Sequence, residues 1–153
     1  MLTRDKMTRD IFTVEPTAKL DEVYRVMQAM GIRHLPVVEG RRLVGVLSDR
    51  DILLWSTRRG AEVVVPKVPV GDVMTSELAV THEMAPIEAV AAKLLELKID
   101  CLPVVKDEEL LGIVTTSDLL ALLSRSDSPK VHQVIPITFR LKPLRRDDGP
   151  ETA

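Results

Sequence analysis

Two segments of this chain, Ser48-Asp-Arg-Asp51 and Thr115-Thr-Ser-Asp118, set a hydroxyl three residues ahead of a carboxylate. Each follows an apolar run and opens another, Ile52-Leu-Leu-Trp55 and Leu119-Leu-Ala-Leu-Leu123. That arrangement at a helix start has two uses. As a capping box, the hydroxyl accepts from a free backbone N–H of the first turn and the carboxylate reaches back to the cap. As a ligand site, the hydroxyl donates to a phosphate oxygen, the helix N–H groups and dipole favour the anion, and the carboxylate accepts from both hydroxyls of a ribose. On residue types alone, capping is the commoner outcome. Arg33-His34 and Asp100-Cys101 each precede an apolar Leu-Pro-Val-Val run. A lone polar residue before a strand is most often a solvated edge residue.

Other chemistries lack their residues. His34, His82 and His132 with Cys101 show no metal-ligand spacing. There is no GxSxG, HExxH, Walker A or GxGxxG segment, and no nucleophile with an evident base. No catalytic residue is assigned and the chain is read as a non-enzyme that requires no cofactor. The single cysteine excludes an internal disulfide, and Cys101 reads as a small packed residue. With 21 Lys and Arg against 23 Asp and Glu, the net charge of −2 supplies no basic surplus for a nucleic acid backbone. No run nears the ~18 apolar residues of a membrane span. The opening Met1-Leu-Thr-Arg-Asp-Lys6 has no secretory apolar core. A soluble, cytoplasmic protein without membrane contact is expected. Hydrophobic residues are 45% and charged residues 29% of a 153-residue chain, the composition of a globular domain. Aromatics are only 3%, so aliphatic residues and Met must build its core.

The chemistry-bearing segments belong to a duplication. His34-Leu-Pro-Val-Val38 recurs as Cys101-Leu-Pro-Val-Val105, Leu43 to Asp51 as Leu110 to Asp118, and Met7-Thr8 as Met74-Thr75, all at an offset of 67. Aligned without gaps, 7–54 and 74–121 share 13 identities in 48 positions. Each unit reads as a short extended piece (Thr13-Val14, Val80-Thr81), a helix, a hairpin and a closing helix. Leu20, Val23, Met27 and Met30 form the first helical stripe, with Thr17 as N-cap and Gly31 just past the end. Ile87, Val90, Ala91, Leu94 and Leu97 repeat that stripe, with Pro86 in the first turn. The runs Leu35–Val38 and Leu43–Leu47 flank a polar turn, as do Leu102–Val105 and Leu110–Val114. Helices from Asp49 to about Thr57 and from Thr116 to about Ser124 close the units. The fold class is therefore α+β: two β-α-β-β-α units packed through their sheets about a pseudo-twofold axis. The first unit spans 3–57, the second 70–124, and 58–69, with Gly60, Pro66 and Pro69, reads as a linker. In the tail, 125–153, the alternation of Val131, Ile135, Ile137, Phe139 and Leu141 predicts a strand over 131–141, confined to an edge by Pro136.

The two Leu-Pro-Val-Val runs, with Gly45-Val-Leu-Ser-Asp-Arg-Asp51 and Gly112-Ile-Val-Thr-Thr-Ser-Asp118, resemble a tandem pair of CBS domains, the family named after cystathionine beta-synthase. The resemblance covers about residues 3–124. It implies a regulatory module that binds AMP, ADP, ATP or another adenosyl ligand between the repeats. It also implies that the carboxylate of one repeat works with the pre-strand residues of the other. One expected nucleotide site therefore joins Thr115 and Asp118 to Thr8, Thr13, Ile32 and Arg33. The other joins Ser48 and Asp51 to Thr75, Val80, Ile99 and Asp100. The family often carries a basic residue where Asp100 stands. Asp100 repels phosphate, which leaves the second site empty or suited to a neutral or cationic adenosyl ligand. The resemblance further implies a homodimer through the two closing helices and an unidentified regulated protein as partner. The competing reading is a ligand-independent dimerisation or scaffolding module with vestigial pockets.

Overall fold

The computed structural model describes residues 1–124 and the backbone of Lys142–Pro143. The first unit contains β1 (Phe12–Thr13), α1 (Leu20–Met30), β2 (His34–Glu39), β3 (Arg42–Ser48) and α2 (Asp49–Trp55). A hairpin of β4 (Thr57–Arg59) and β5 (Glu62–Val64) leads to β6 (Thr81–His82), α3 (Ile87–Leu97), β7 (Cys101–Lys106), β8 (Glu109–Thr115) and α4 (Thr116–Ser124) of the second. A mixed sheet runs β2-β3-β8-β7-β6, with only β6–β7 parallel. Its two hairpins join at Arg42 opposite Glu109.

The duplication extends to the register of the two hairpins. The β2–β3 register shifts between Val37 and Val38, and the β7–β8 register between Val104 and Val105, 67 residues on. Val14 bridges Val37 in parallel, as Thr81 does Val104. The apolar runs of β2 and β7 are buried on both faces, as a covered sheet requires.

The first residues of each unit cross to the other. Thr3 and Arg4 donate to the carbonyls of Ala85 and Glu83 at 2.8 and 2.9 Å, while Val70 and Gly71 donate to those of Ala18 and Pro16 at 2.8 and 2.9 Å. Val70 and Val73 accordingly join the first core cluster with Leu20, Met27, Leu35 and Ile52. Met7 joins the second with Val90, Leu102 and Val114. A third cluster of Ile11, Val38, Cys101, Leu110 and Ile113 lies between the units. Neither unit fills its own core, which is why two are needed.

This exchange explains the repeated glycines. A Cβ on Gly112 would stand 2.6 Å from the Thr8 carbonyl oxygen and 3.2 Å from the Met7 sulfur. One on Gly45 would collide with the Met74 side chain. Thr8 pairs with Ile113 and Thr75 with Val46 beside these contacts, so the crossing segments lie directly on β8 and β3.

Several local expectations are corrected. Thr17 does not cap α1. Lys19 precedes the helix without a side-chain cap bond, because 16–19 is held by the crossing segment: Pro16 and Ala18 accept from Gly71 and Val70, and Lys19 bridges Pro69. Pro86 is the residue before α3, not a first-turn residue. Leu97 is not in the core stripe but is 46% exposed. The helix α2 ends at Trp55, two residues before the expected end. The linker holds the β4–β5 hairpin, turned at Gly60 with φ of 61° and carried by its β-branched valines. The expected strand at 131–141 lies outside the described residues. Lys142–Pro143 forms a two-residue strand, β9, antiparallel to β1.

Candidate functional site

The sequence 48–51 folds as a capping box. The Ser48 hydroxyl accepts from the Asp51 N–H at 3.0 Å, and the Ser48 N–H donates to the Asp51 carboxylate at 3.3 Å. Thr115 and Asp118 repeat it: the Thr115 N–H donates to the carboxylate at 2.8 Å and the Asp118 N–H to the hydroxyl at 3.3 Å. The Thr115 hydroxyl also donates to Asp118 at 2.9 Å. Capping is thus realised in both repeats, and both carboxylates are held beside their hydroxyls by bonds that fix their rotamers.

A cavity of about 420 Å³ opens between the repeats at Ser48. Ser48 and Asp51 come to it from the first repeat, and Thr75, Ile99 and Asp100 from the second. The Thr75 hydroxyl donates to the Asp51 carboxylate at 3.3 Å, joining the repeats at the cavity wall. One part of the lining is apolar, with Val46, Leu78, Ala79, Ile99 and Pro103. Another is charged, with Arg33, Asp49, Arg50, Glu77, Lys98 and Asp100. Val80 is not part of this lining; its carbonyl accepts from the Lys93 ammonium at 2.6 Å.

A second cavity, also about 420 Å³, opens at Thr115 and is lined by Arg33, His34, Asp100, Ile113, Thr116 and Leu120 among others. Of the six residues expected at the Thr115 site, Thr115 and Arg33 line it. Asp118 stands behind Thr115 through the cap. Thr8 exchanges backbone bonds with Ile113 at 2.9 and 3.0 Å. Thr13 is buried on β1, and Ile32 packs against the first core cluster.

Sequence reasoning placed Arg33 in one cleft and Asp100 in the other. In the structure Arg33, His34 and Asp100 line both cavities. The Arg33 and Asp100 carbonyls accept from the Asp49 and Thr116 N–H groups at 3.0 and 2.9 Å, which seats α2 and α4 on this wall. The exposed Arg33 guanidinium lies 3.7 Å from the carboxylate of the partly buried Asp49. Desolvation by burial lowers the His34 pKa against the opposing pull of Asp49 and Asp100, leaving a neutral ring at pH 7. Cys101, the equivalent of His34, has its thiol pushed up to about 12 by burial and by Asp118 and Asp100. It is a packed, protonated group and not a nucleophile.

Residue-type reasoning missed Arg50, Glu77, Leu78, Ala79 and Lys98 in the Ser48 cavity. Arg50 sat inside the segment already singled out. Lys98 is the offset partner of Gly31 and ends α3 with φ of 54°, so the repeat marked its position but not its direction. Among the described residues no helix is long and apolar enough to cross a membrane. No group of three or more His, Cys, Asp or Glu among them could hold a metal ion.

Comparison with known proteins gives consistent findings. The family model for the CBS domain matches residues 4–57 and 70–125. The CBS domain-containing protein YhcV of Bacillus subtilis is 34% identical over 116 residues, which is 76% of this chain and 81% of YhcV. Other relatives are longer, and the chain spans 20% to 45% of their length. The crystal structure of CBSX2 in complex with AMP superposes with a TM-score of 0.72 at 28% identity, covering 83% of this chain and 99% of that one. The CBS domain pair of protein MJ0100, in complex with 5′-methylthioadenosine and S-adenosyl-L-methionine, gives 0.68 at 25% identity, covering 82% and 97%. With both repeats matched and the pseudo-twofold pair reproduced, the chain belongs to the CBS domain family, as a tandem pair.

Proposed function

We propose that this protein is a non-enzymatic regulatory module that binds an adenine nucleotide or another adenosyl ligand between its repeats and signals to a partner protein by a change in packing. The observation that carries the reading is the Ser48 cavity. Five of the six residues that the family resemblance implies for one site, Ser48, Asp51, Thr75, Ile99 and Asp100 but not Val80, are in the lining of one space although they come from two repeats. Its volume of about 420 Å³ falls in the range of ~300–1,000 Å³ usual for small-molecule sites. The apolar lining at Leu78, Ala79 and Ile99 suits a purine face, and the Asp51 carboxylate suits a ribose diol. The AMP complex of CBSX2 and the adenosyl complexes of MJ0100 support the ligand class.

The module is further proposed to act as a homodimer through α2 and α4. Leu53, Leu54 and Trp55 on α2 and Leu120 and Leu123 on α4 are exposed. A run of large apolar side chains in water favours a self-complementary contact that covers the same patch on both copies.

A second reading, a scaffold without ligand, has one observation behind it: both hydroxyl–carboxylate pairs are satisfied by their own helix caps. Dissociation constants for AMP, ADP, ATP, S-adenosylmethionine and a cyclic dinucleotide separate the two readings. The sensor reading expects at least one adenosyl compound to bind saturably and to lose affinity in Asp51→Ala or Asp118→Ala. The scaffold reading expects none to bind while the dimer persists.

A further inference from the structure

The two cavities share one wall, built from Arg33, His34 and Asp100. The wall carries charge, whereas the apolar residues Leu78, Ala79 and Ile99 belong to the Ser48 cavity alone. A ligand with an apolar base and an anionic group gains by setting its base on those residues and its anion on the charged wall. In the Thr115 cavity, Arg33 is the one Lys or Arg among the described lining residues, so an anion there draws on the same guanidinium.

We infer that the two cavities do not bind anionic ligands independently: an anion seated against the shared Arg33 wall in one cavity weakens anion binding in the other. The inference rests on the ligand class proposed above. The physical reason is Coulombic. Both anions draw on the same Arg33 guanidinium, which is in the lining of either cavity, so the attraction available to one is reduced by the other. The first anion also neutralises Arg33, and Asp100 stands beside it as a fixed like charge. Burial lowers the His34 pKa and so favours its neutral ring in the unliganded wall. Arg50, Lys98, Asp51 and Glu77 line the Ser48 cavity and are not among the described lining residues of the other, while Asp49, 3.7 Å from the Arg33 guanidinium, already offsets part of its charge.

The test compares titrations of the full chain with those of two single-cavity variants, Asp51→Ala and Thr115→Ala, each altering a residue that lines one cavity and not the other. AMP is the anionic probe and adenosine the uncharged one. Independent cavities give a wild-type isotherm equal to the sum of the two variant isotherms. The coupling predicts that the second AMP binds the wild type at least threefold more weakly than AMP binds the weaker single-cavity variant. It predicts that adenosine follows the simple sum, and that Arg33→Ala weakens AMP in both single-cavity variants. An AMP isotherm equal to the sum, the same deficit for adenosine, or AMP binding to only one of the two variants overturns it. Absence of binding by AMP and adenosine alike removes the ligand-class reading itself, a pattern distinct from binding without coupling. Should either alanine variant fail to fold, Asp51→Asn and Thr115→Val with wild-type melting curves serve in the same comparison.

Discussion

The Thr75 hydroxyl, carried by the second repeat, donates to the Asp51 carboxylate of the first at 3.3 Å. One carboxylate thus caps α2, ties the repeats together and faces the Ser48 cavity. Asp51→Ala removes the carboxylate half of the cap and the bond to Thr75. Loss of a cap costs about 0.5–2 kcal/mol. Urea denaturation is expected to show a lower midpoint at unchanged slope, and binding in that cavity is expected to fall more than tenfold.

Gly112 underlies the crossing of the first segment onto β8. Gly112→Ala sets a methyl 2.6 Å from the Thr8 carbonyl oxygen, which is backbone and cannot swing away. Overpacking of this kind costs about 1–3 kcal/mol. The expected outcome is a lower melting temperature, read by circular dichroism. Gly40→Ala offers a contrast: its Cβ meets nothing within 4 Å, although its φ of 64° makes any side chain strained. A smaller loss is expected there.

His34 sets a pH dependence whose sign is fixed. Its folded pKa lies below the ordinary 6.5 because burial disfavours the cation. Between the folded value and about 6.5 the unfolded chain binds more protons, so stability falls as pH falls through that window and levels off below the folded pKa. His34→Gln is expected to flatten this part of the curve, measured by denaturation at a series of pH values between 5 and 8.

Cys101 is buried, with its thiol at about 12. An alkylating reagent at neutral pH is expected to react with the native protein far more slowly than with the urea-unfolded chain. Equal rates would mean that β7 is open to solvent.

The duplicated segments made much of this architecture legible before the structure. The repeated Leu-Pro-Val-Val and Gly-x-x-Ser/Thr-x-x-Asp units define both hairpins and both closing helices, because strand burial and capping are local demands that the residues themselves meet. The crossing of Thr3–Thr8 and Val70–Thr75 was not legible. Its bonds join backbone groups from 29 (Val46 to Thr75) to 105 (Thr8 to Ile113) residues apart, and no side-chain pattern announces them. The same crossing displaced the expected cap at Thr17. The shared wall was missed for a related reason: Arg33 and Asp100 occupy equivalent places in the repeats, but only the pseudo-twofold arrangement brings both to the same two cavities. The tail alternation at 131–141 falls outside the described residues.

Trp55 is 52% exposed and its neighbour Leu54 78%, so Trp55→Glu alters surface and not core. Analytical ultracentrifugation at micromolar concentration is expected to find the wild type at twice the 17.0 kDa chain mass and the variant shifted toward one chain, with unchanged circular dichroism. A wild-type species of one chain mass contradicts the proposed dimer.

The central claim is that the cavity between Ser48 and Asp100 takes an adenosyl ligand. Amide ¹H–¹⁵N spectra of the full chain, titrated with AMP and with S-adenosylmethionine, test it most directly. The account predicts that at least one of them shifts the amide signals of Ser48, Thr75 and Ile99 along a saturating curve, with the β4–β5 hairpin unmoved. Spectra unchanged by both ligands at millimolar concentration, or shifts confined to residues away from the cavity, would contradict it.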